Sequence, residues 1–69
     1  MLRKLRKRRR LSLRLLASLS GLSHTHIGAV ERGETTLTAP ALVRLARGLN
    51  MRPGELLERM YGDGKADGS

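Results

Sequence analysis

With 69 residues, the chain has room for one domain around a small core. It has no cysteine, which excludes disulfides and thiolate metal sites, and no apolar run of transmembrane length. The net charge of +8 is lopsided: eight of the fourteen basic residues lie between Arg3 and Arg14, and no carboxylate precedes Glu31, so the expected partner is a polyanion. The basic N-terminus is not followed by the apolar stretch of a signal peptide, and a cytoplasmic location follows by elimination. Two prolines and no period-two alternation predict an all-α bundle, stabilised by aliphatic packing and aided by dimerisation or DNA.

The first predicted helix covers 2–9. Leu2, Leu5, Arg6 and Arg9 share a face, the leucines inward and the two arginines laying aliphatic stems on the core edge. Arg3, Lys4, Lys7, Arg8 and Arg10 are left for solvent or phosphates. Ser12 is the N-cap of a second helix over 13–19, with Leu16 and Ala17 inward. The small Ala17 lets a following helix cross closely. Ser20-Gly21-Leu22 forms a turn in which Gly21 suits a positive φ and Leu22 plugs the corner. Ser23 caps a third helix, 24–32, which Gly33 stops, and Ile27 and Val30 face inward from it. Two short helices interlocked across a tight turn make a helix-turn-helix, whose second helix enters the DNA major groove.

At about 100° per residue, Thr25, Gly28, Ala29 and Arg32 lie opposite Ile27 and Val30, with His24 on the flank. His24 can donate to a purine N7 or O6, and Thr25 can donate, accept or touch a thymine methyl. Gly28 permits close approach, and Ala29 can meet a thymine methyl. His26 sits near the core boundary, to pack or to meet a phosphate. The histidines diverge at i and i+2, which argues against a metal site. Ser23 beside His24 lacks an acid partner, so no catalytic triad is present and an enzyme is not expected.

Glu34 to Leu37 is a loop in which Thr35 and Thr36 offer hydroxyls to a DNA backbone. Thr38 caps a fourth helix, 39–48, with Pro40 in its first turn and Leu42, Leu45, Ala46 and Leu49 on its apolar face. Pro53 opens a fifth helix, 53–61, with Leu56, Leu57 and Met60 as buried or interfacial residues. The polar, glycine-rich stretch 62–69 is expected to be a disordered tail on a domain of residues 1–61.

The pattern Leu11-Ser12, Leu16-Ala17, Gly21-Leu22-Ser23, Ile27, Val30-Glu31-Arg32-Gly33 resembles the lambda-repressor/Cro-like family, also called the xenobiotic-response-element family. The likeness runs from Leu2 to about Glu58 and takes in Leu42, Leu45, Ala46, Leu49 and Pro53-Gly54-Glu55-Leu56-Leu57. It implies a five-helix bundle and a sequence-specific regulator of transcription. Such a protein is more readily a repressor, binds double-stranded DNA and needs neither cofactor nor metal. By resemblance, His24, Thr25, Gly28 and Ala29 stand at base edges. The backbone set is Leu13 (through its N–H), Ser23, Arg32, Thr35, Thr36, Arg8 and Arg10.

The resemblance also implies a partly buried ion pair between Arg6 and Glu31, and a weak dimer through the fifth helix, formed on DNA, with Met60 and Tyr61 in contact. The chain departs from the family in three places. Arg10 stands where a glycine is usual and must adopt the left-handed conformation or end the helix differently. Leu13 replaces a common glutamine. Leu15 and Leu19 replace charged residues and form an apolar patch, either a protein contact or a surface covered by the first helix or the Leu37 loop. An antitoxin that binds a toxin and its own operator is the principal alternative function. A membrane-active cationic peptide is a weaker one.

Overall fold

The computed structural model of the chain describes residues 1–62. These form α1 (Leu2–Arg8), α2 (Leu13–Ser20), α3 (His24–Glu31), α4 (Ala39–Gly48) and α5 (Pro53–Tyr61), with no strand among the described residues. Of the expected tail, all but Gly62 lies outside the described residues.

Side-chain caps start three of the helices. Ser12 Oγ accepts from the Leu15 N–H at 3.0 Å, Ser23 Oγ from Thr25 and His26 at 3.1 and 3.2 Å, and Thr38 Oγ1 from Ala41 at 3.3 Å. Each cap contributes about 1 kcal/mol by satisfying donors that the helix cannot.

One device ends α1, α2, α3 and α4. A residue with positive φ follows each helix, and the next N–H reaches back five residues: Leu11 to Arg6 O, Leu22 to Ala17 O, Glu34 to Ala29 O and Met51 to Ala46 O, at 2.8–3.2 Å. Glycine supplies the left-handed residue at Gly21 and Gly33. Arg10 and Asn50 adopt it at φ 57°, a conformation that costs a residue with a Cβ roughly 1 kcal/mol. This geometry shortens α1 by one residue from its expected end. Arg9 becomes the C-cap and leaves the inward face; it is exposed, not laid along the core edge as expected.

The core gathers Leu2 and Leu5 from α1, Leu16 and Ala17 from α2, Ile27 and Val30 from α3, Leu42, Leu45 and Ala46 from α4, and Leu56 from α5. Leu49 and Met51 join it from the link between the last two helices. Leu22 is half-buried against this cluster at the corner of the turn. Leu57, expected to be buried or interfacial, stays out of the core. It is 48% exposed, because Leu56 takes the inward position and the next residue points about 100° away.

α2 packs mainly on α4 and also on α3, and its contact with α4 explains a glycine in the last turn of α4. A Cβ at Gly48 would overlap Ser20 Oγ and stand 3.2 Å from Leu16 Cδ1 and 3.3 Å from the Ser20 backbone nitrogen. Ser20 Oγ is itself buried without a hydrogen-bond partner among the described residues. Gly48→Ala should therefore destabilise the fold by about 1–3 kcal/mol through overpacking, although alanine is the better helix former by about 1 kcal/mol. Adding Ser20→Ala should return part of the loss by removing the overlapped hydroxyl. Thermal melts of the two single variants and the double test this, and an unchanged or raised Tm for Gly48→Ala would show that the helices can part freely.

Candidate nucleic-acid interface

The turn between α2 and α3 sets the recognition helix. Leu16, Ala17, Ile27 and Val30 are buried between the helices, so α3 is held by its inner face and its N-terminal turn is left in solvent. Ser23, His24 and Thr25 are exposed there, and Ala29 is half-buried further along. His26 is also half-buried, at the core boundary.

Gly28 does not belong to that open surface. It is buried, against the expectation that it lies on the reading face. A Cβ at this position would stand 3.2 Å from Arg32 Nη1 and 3.6 Å from Leu13 Cδ2. The space beside the glycine is thus occupied by the chain's own side chains rather than held open for a base. Of the four residues expected at base edges, His24 and Thr25 are exposed, Ala29 is half-buried and Gly28 is buried.

The flanks of α3 carry the groups suited to phosphates. At the start of α2, the Leu13 and Arg14 N–H groups have no acceptor among the described residues, since Ser12 takes the Leu15 N–H. Two free donors at a helix N-terminus favour an anion. The Leu13 side chain is half-buried on the core, so only its backbone is available for such a contact. Arg8 and Arg10 are exposed, as are Thr35 and Thr36; Thr35 Oγ1 donates a long bond of 3.4 Å to Thr36 O.

Two arginines are engaged within the chain. Arg6 donates from Nε and Nη2 to Glu31 at 2.7 and 3.2 Å, and from Nη1 to Leu11 O at 2.8 Å. Both side chains are about nine-tenths buried, at 10% and 8% exposure. This fork joins α1 to α3 and pins the turn before α2. Arg32 makes a similar fork at the surface, from Nε and Nη2 to Glu34 at 2.9 and 3.1 Å. The hydrogen bond first, and the charge attraction second, raise the Arg32 guanidinium above its ordinary value and hold the Glu34 carboxyl below its own. Sequence reasoning assigned Glu34 only to a loop. The signal was the Arg-Gly-Glu spacing, in which a left-handed Gly33 turns the chain back and sets residue 34 beside residue 32.

Of the two candidate protein contacts, the α2 patch stays open and the α5 pair changes. Leu15 and Leu19 are 46% and 52% exposed, so neither α1 nor the Leu37 loop covers them. On α5, Met60 is half-buried against the core, which removes it from the expected contact pair. Tyr61 stays exposed while its Oη accepts from the Leu37 N–H at 3.2 Å. With Leu57, Leu37 and Leu42 it lines a largely apolar groove of about 340 Å³.

The sequence profile of the helix-turn-helix family matches residues 2–56. The chain belongs to that family. Its lambda-repressor-like members are DNA-binding regulators of transcription. Among curated proteins it is similar to control protein C.SmaI of Serratia marcescens, 47% identical over 49 residues, which are 71% of this chain and 58% of that protein. It thus spans little more than half of that relative's length. Among solved structures it is similar to the restriction-modification controller protein C.AhdI from Aeromonas hydrophila. The identity is 42% and the TM-score 0.76, covering 80% of this chain and 83% of the other. Both relatives are named as controllers, which does not favour the antitoxin reading. Among the described residues no helix is long and apolar enough to cross a membrane.

Proposed function

We propose that the chain is an operator-binding controller of restriction-modification genes, acting in the cytoplasm, with α3 in the major groove and no catalytic role. The observation that carries this reading is the exposed N-terminal turn of α3, held by a buried inner face and flanked by unpaired helix N–H groups and cations, in a helix-turn-helix chain 42% identical to a restriction-modification controller. Occupancy of a promoter by such a domain excludes polymerase, which makes repression the simplest output.

In this reading His24 and Thr25 touch base edges, Ala29 offers its methyl group, and Gly28 serves the packing of Leu13 and Arg32. The backbone contacts are the Leu13 N–H, Ser23, Arg32, Thr35, Thr36, Arg8 and Arg10. So few hydrogen-bonding readers leave much of the discrimination to DNA shape. Selection from a random duplex pool followed by footprinting tests the reading. Enrichment of a defined site is expected, and a bound pool that stays random would overturn it. His24→Ala and Thr25→Ala should each relax selection at one or two base pairs, by about 1–3 kcal/mol of discrimination. Arg32→Ala should weaken all sequences alike. A change of base preference on Arg32→Ala, with none on His24→Ala, would reverse the assigned docking.

A second copy of the chain is the proposed occupant of the groove between Leu37 and α5, with Leu57 and Tyr61 replacing the Met60–Tyr61 pair expected from the sequence. The patch is small, so the dimer forms chiefly when two half-sites hold both copies on one duplex. Leu57→Glu should leave the fold intact and convert two-copy complexes on DNA to one-copy complexes. Sedimentation of the complexes checks this, and an unchanged stoichiometry would place the interface elsewhere.

A further inference from the structure

We propose that Glu34 is a built-in competitor of DNA phosphate for Arg32, so that the pair restrains the chain's affinity for every DNA sequence; this rests on the DNA-binding reading above. The carboxylate occupies the Nε/Nη2 edge of the guanidinium at 2.9 and 3.1 Å, the same two-pronged edge that a phosphate would take. The remaining nitrogen, Nη1, lies over Gly28, against the recognition helix. A phosphate arriving beside α3 therefore meets a guanidinium already neutralised on its best donor edge.

Charge distribution singles Glu34 out. Only two carboxylates stand before Glu55 in the sequence, Glu31 and Glu34. Glu31 is buried against Arg6, whereas the Glu34 side chain is 58% exposed, next to the threonines proposed to meet the backbone. It is the one exposed negative charge on the described part of the chain before Glu55.

A competitor fits the geometry better than a buttress does. A carboxylate that positions an arginine has to be fixed by something else. The Glu34 carboxylate oxygens have no partner but Arg32 among the described residues. Exposed on both sides, the pair is held weakly and is exchangeable. Phosphate capture then breaks one ion pair to make another, so the net gain from Arg32 is small while Glu34 is present.

The test measures the full chain on a mixed-sequence duplex of about three helical turns, titrated with salt between about 50 and 200 mM. Glu34→Gln should bind about three- to tenfold tighter at the low-salt end and steepen the slope of log K against log salt by about one, as for one further phosphate neutralised. In an Arg32→Gln background the same substitution should lose most of that gain. Weaker binding by Glu34→Gln would make Glu34 a buttress and overturn the proposal. An unchanged affinity and slope, or a gain equally large without Arg32, would overturn it too. No binding by the unaltered chain at any salt would sink the DNA-binding reading itself, which separates the two failures.

Discussion

The affinity of the chain for its operator should fall roughly 300- to 1,000-fold between about 50 and 200 mM salt, for about five phosphates neutralised at a slope of −4 to −5. The free cations set this slope. Arg6 is consumed by Glu31 inside the fold, and Arg32 is compensated by Glu34 at its surface. Arg3, Lys4, Lys7, Arg8, Arg9, Arg10 and Arg14 remain exposed, with no ion pair among the described residues. They lie on α1, on the turn after it and at the start of α2, where the Leu13 and Arg14 N–H groups are unpaired among the described residues. Not all can reach one duplex at once, so about five contacts out of seven exposed cations is a reasonable engagement. With few base-reading side chains, this electrostatic part is a large share of the total affinity. Filter binding or fluorescence anisotropy over a salt series measures it. A flat response would mean that the basic half does not face DNA.

Helix positions were legible where covalent geometry or a side-chain cap dictates them. Thr38 with Pro40, and Pro53 alone, set the starts of α4 and α5, and both helices run as expected, Ala39–Gly48 and Pro53–Tyr61. The buried stripe of the helix-turn-helix was equally legible, because Leu16, Ala17, Ile27 and Val30 follow helical spacing on both sides of the turn. Periodicity misplaced the residues whose burial is decided by a neighbouring element. Gly28 lies outward on its own helix, but Leu13 from α2 and Arg32 from the next turn close over it. Leu56 and Leu57 are equally apolar, and only the direction of α5 against α4 decides which is buried. The Arg32–Glu34 fork depends on a left-handed residue between its members, which periodicity does not describe. The candidate site was therefore readable as a region, a helix N-terminus beside a basic half. Its effective outline depends on which side chains reach across from neighbouring elements.

Arg6→Met should destabilise the fold far more than Arg3→Met or Lys4→Met. Helical spacing already sets Arg6 on the leucine face of α1 and leaves Arg3 and Lys4 off it. In the fold, Arg3 and Lys4 are exposed, while Arg6 is buried and satisfies both carboxylate oxygens of Glu31 and the carbonyl of Leu11. Methionine would fill much of the arginine's volume, so lost packing is a minor part of the change. The major part is a buried Glu31 left without its counter-ion, which costs about 3–5 kcal/mol. A domain of this size is stable by only about 3–10 kcal/mol, so the variant should melt roughly 15–30 °C lower or be unfolded at physiological temperature. Arg3→Met and Lys4→Met should stay within about 0.5 kcal/mol of the parent. A second variant separates charge from shape. Arg6→Met with Glu31→Leu removes both charges and should recover most of the lost stability, because a buried pair replaced by apolar residues is often neutral or better. Equal melting shifts for the three single variants would show that the pair carries no weight in the fold. Failure of the double variant to recover would show that the Arg6 bond to Leu11 O, which pins the turn into α2, matters more than the ion pair does. The outcome also bears on DNA binding, since α1 holds the C-terminal end of α3 through this fork, and α3 must keep its angle to enter a groove.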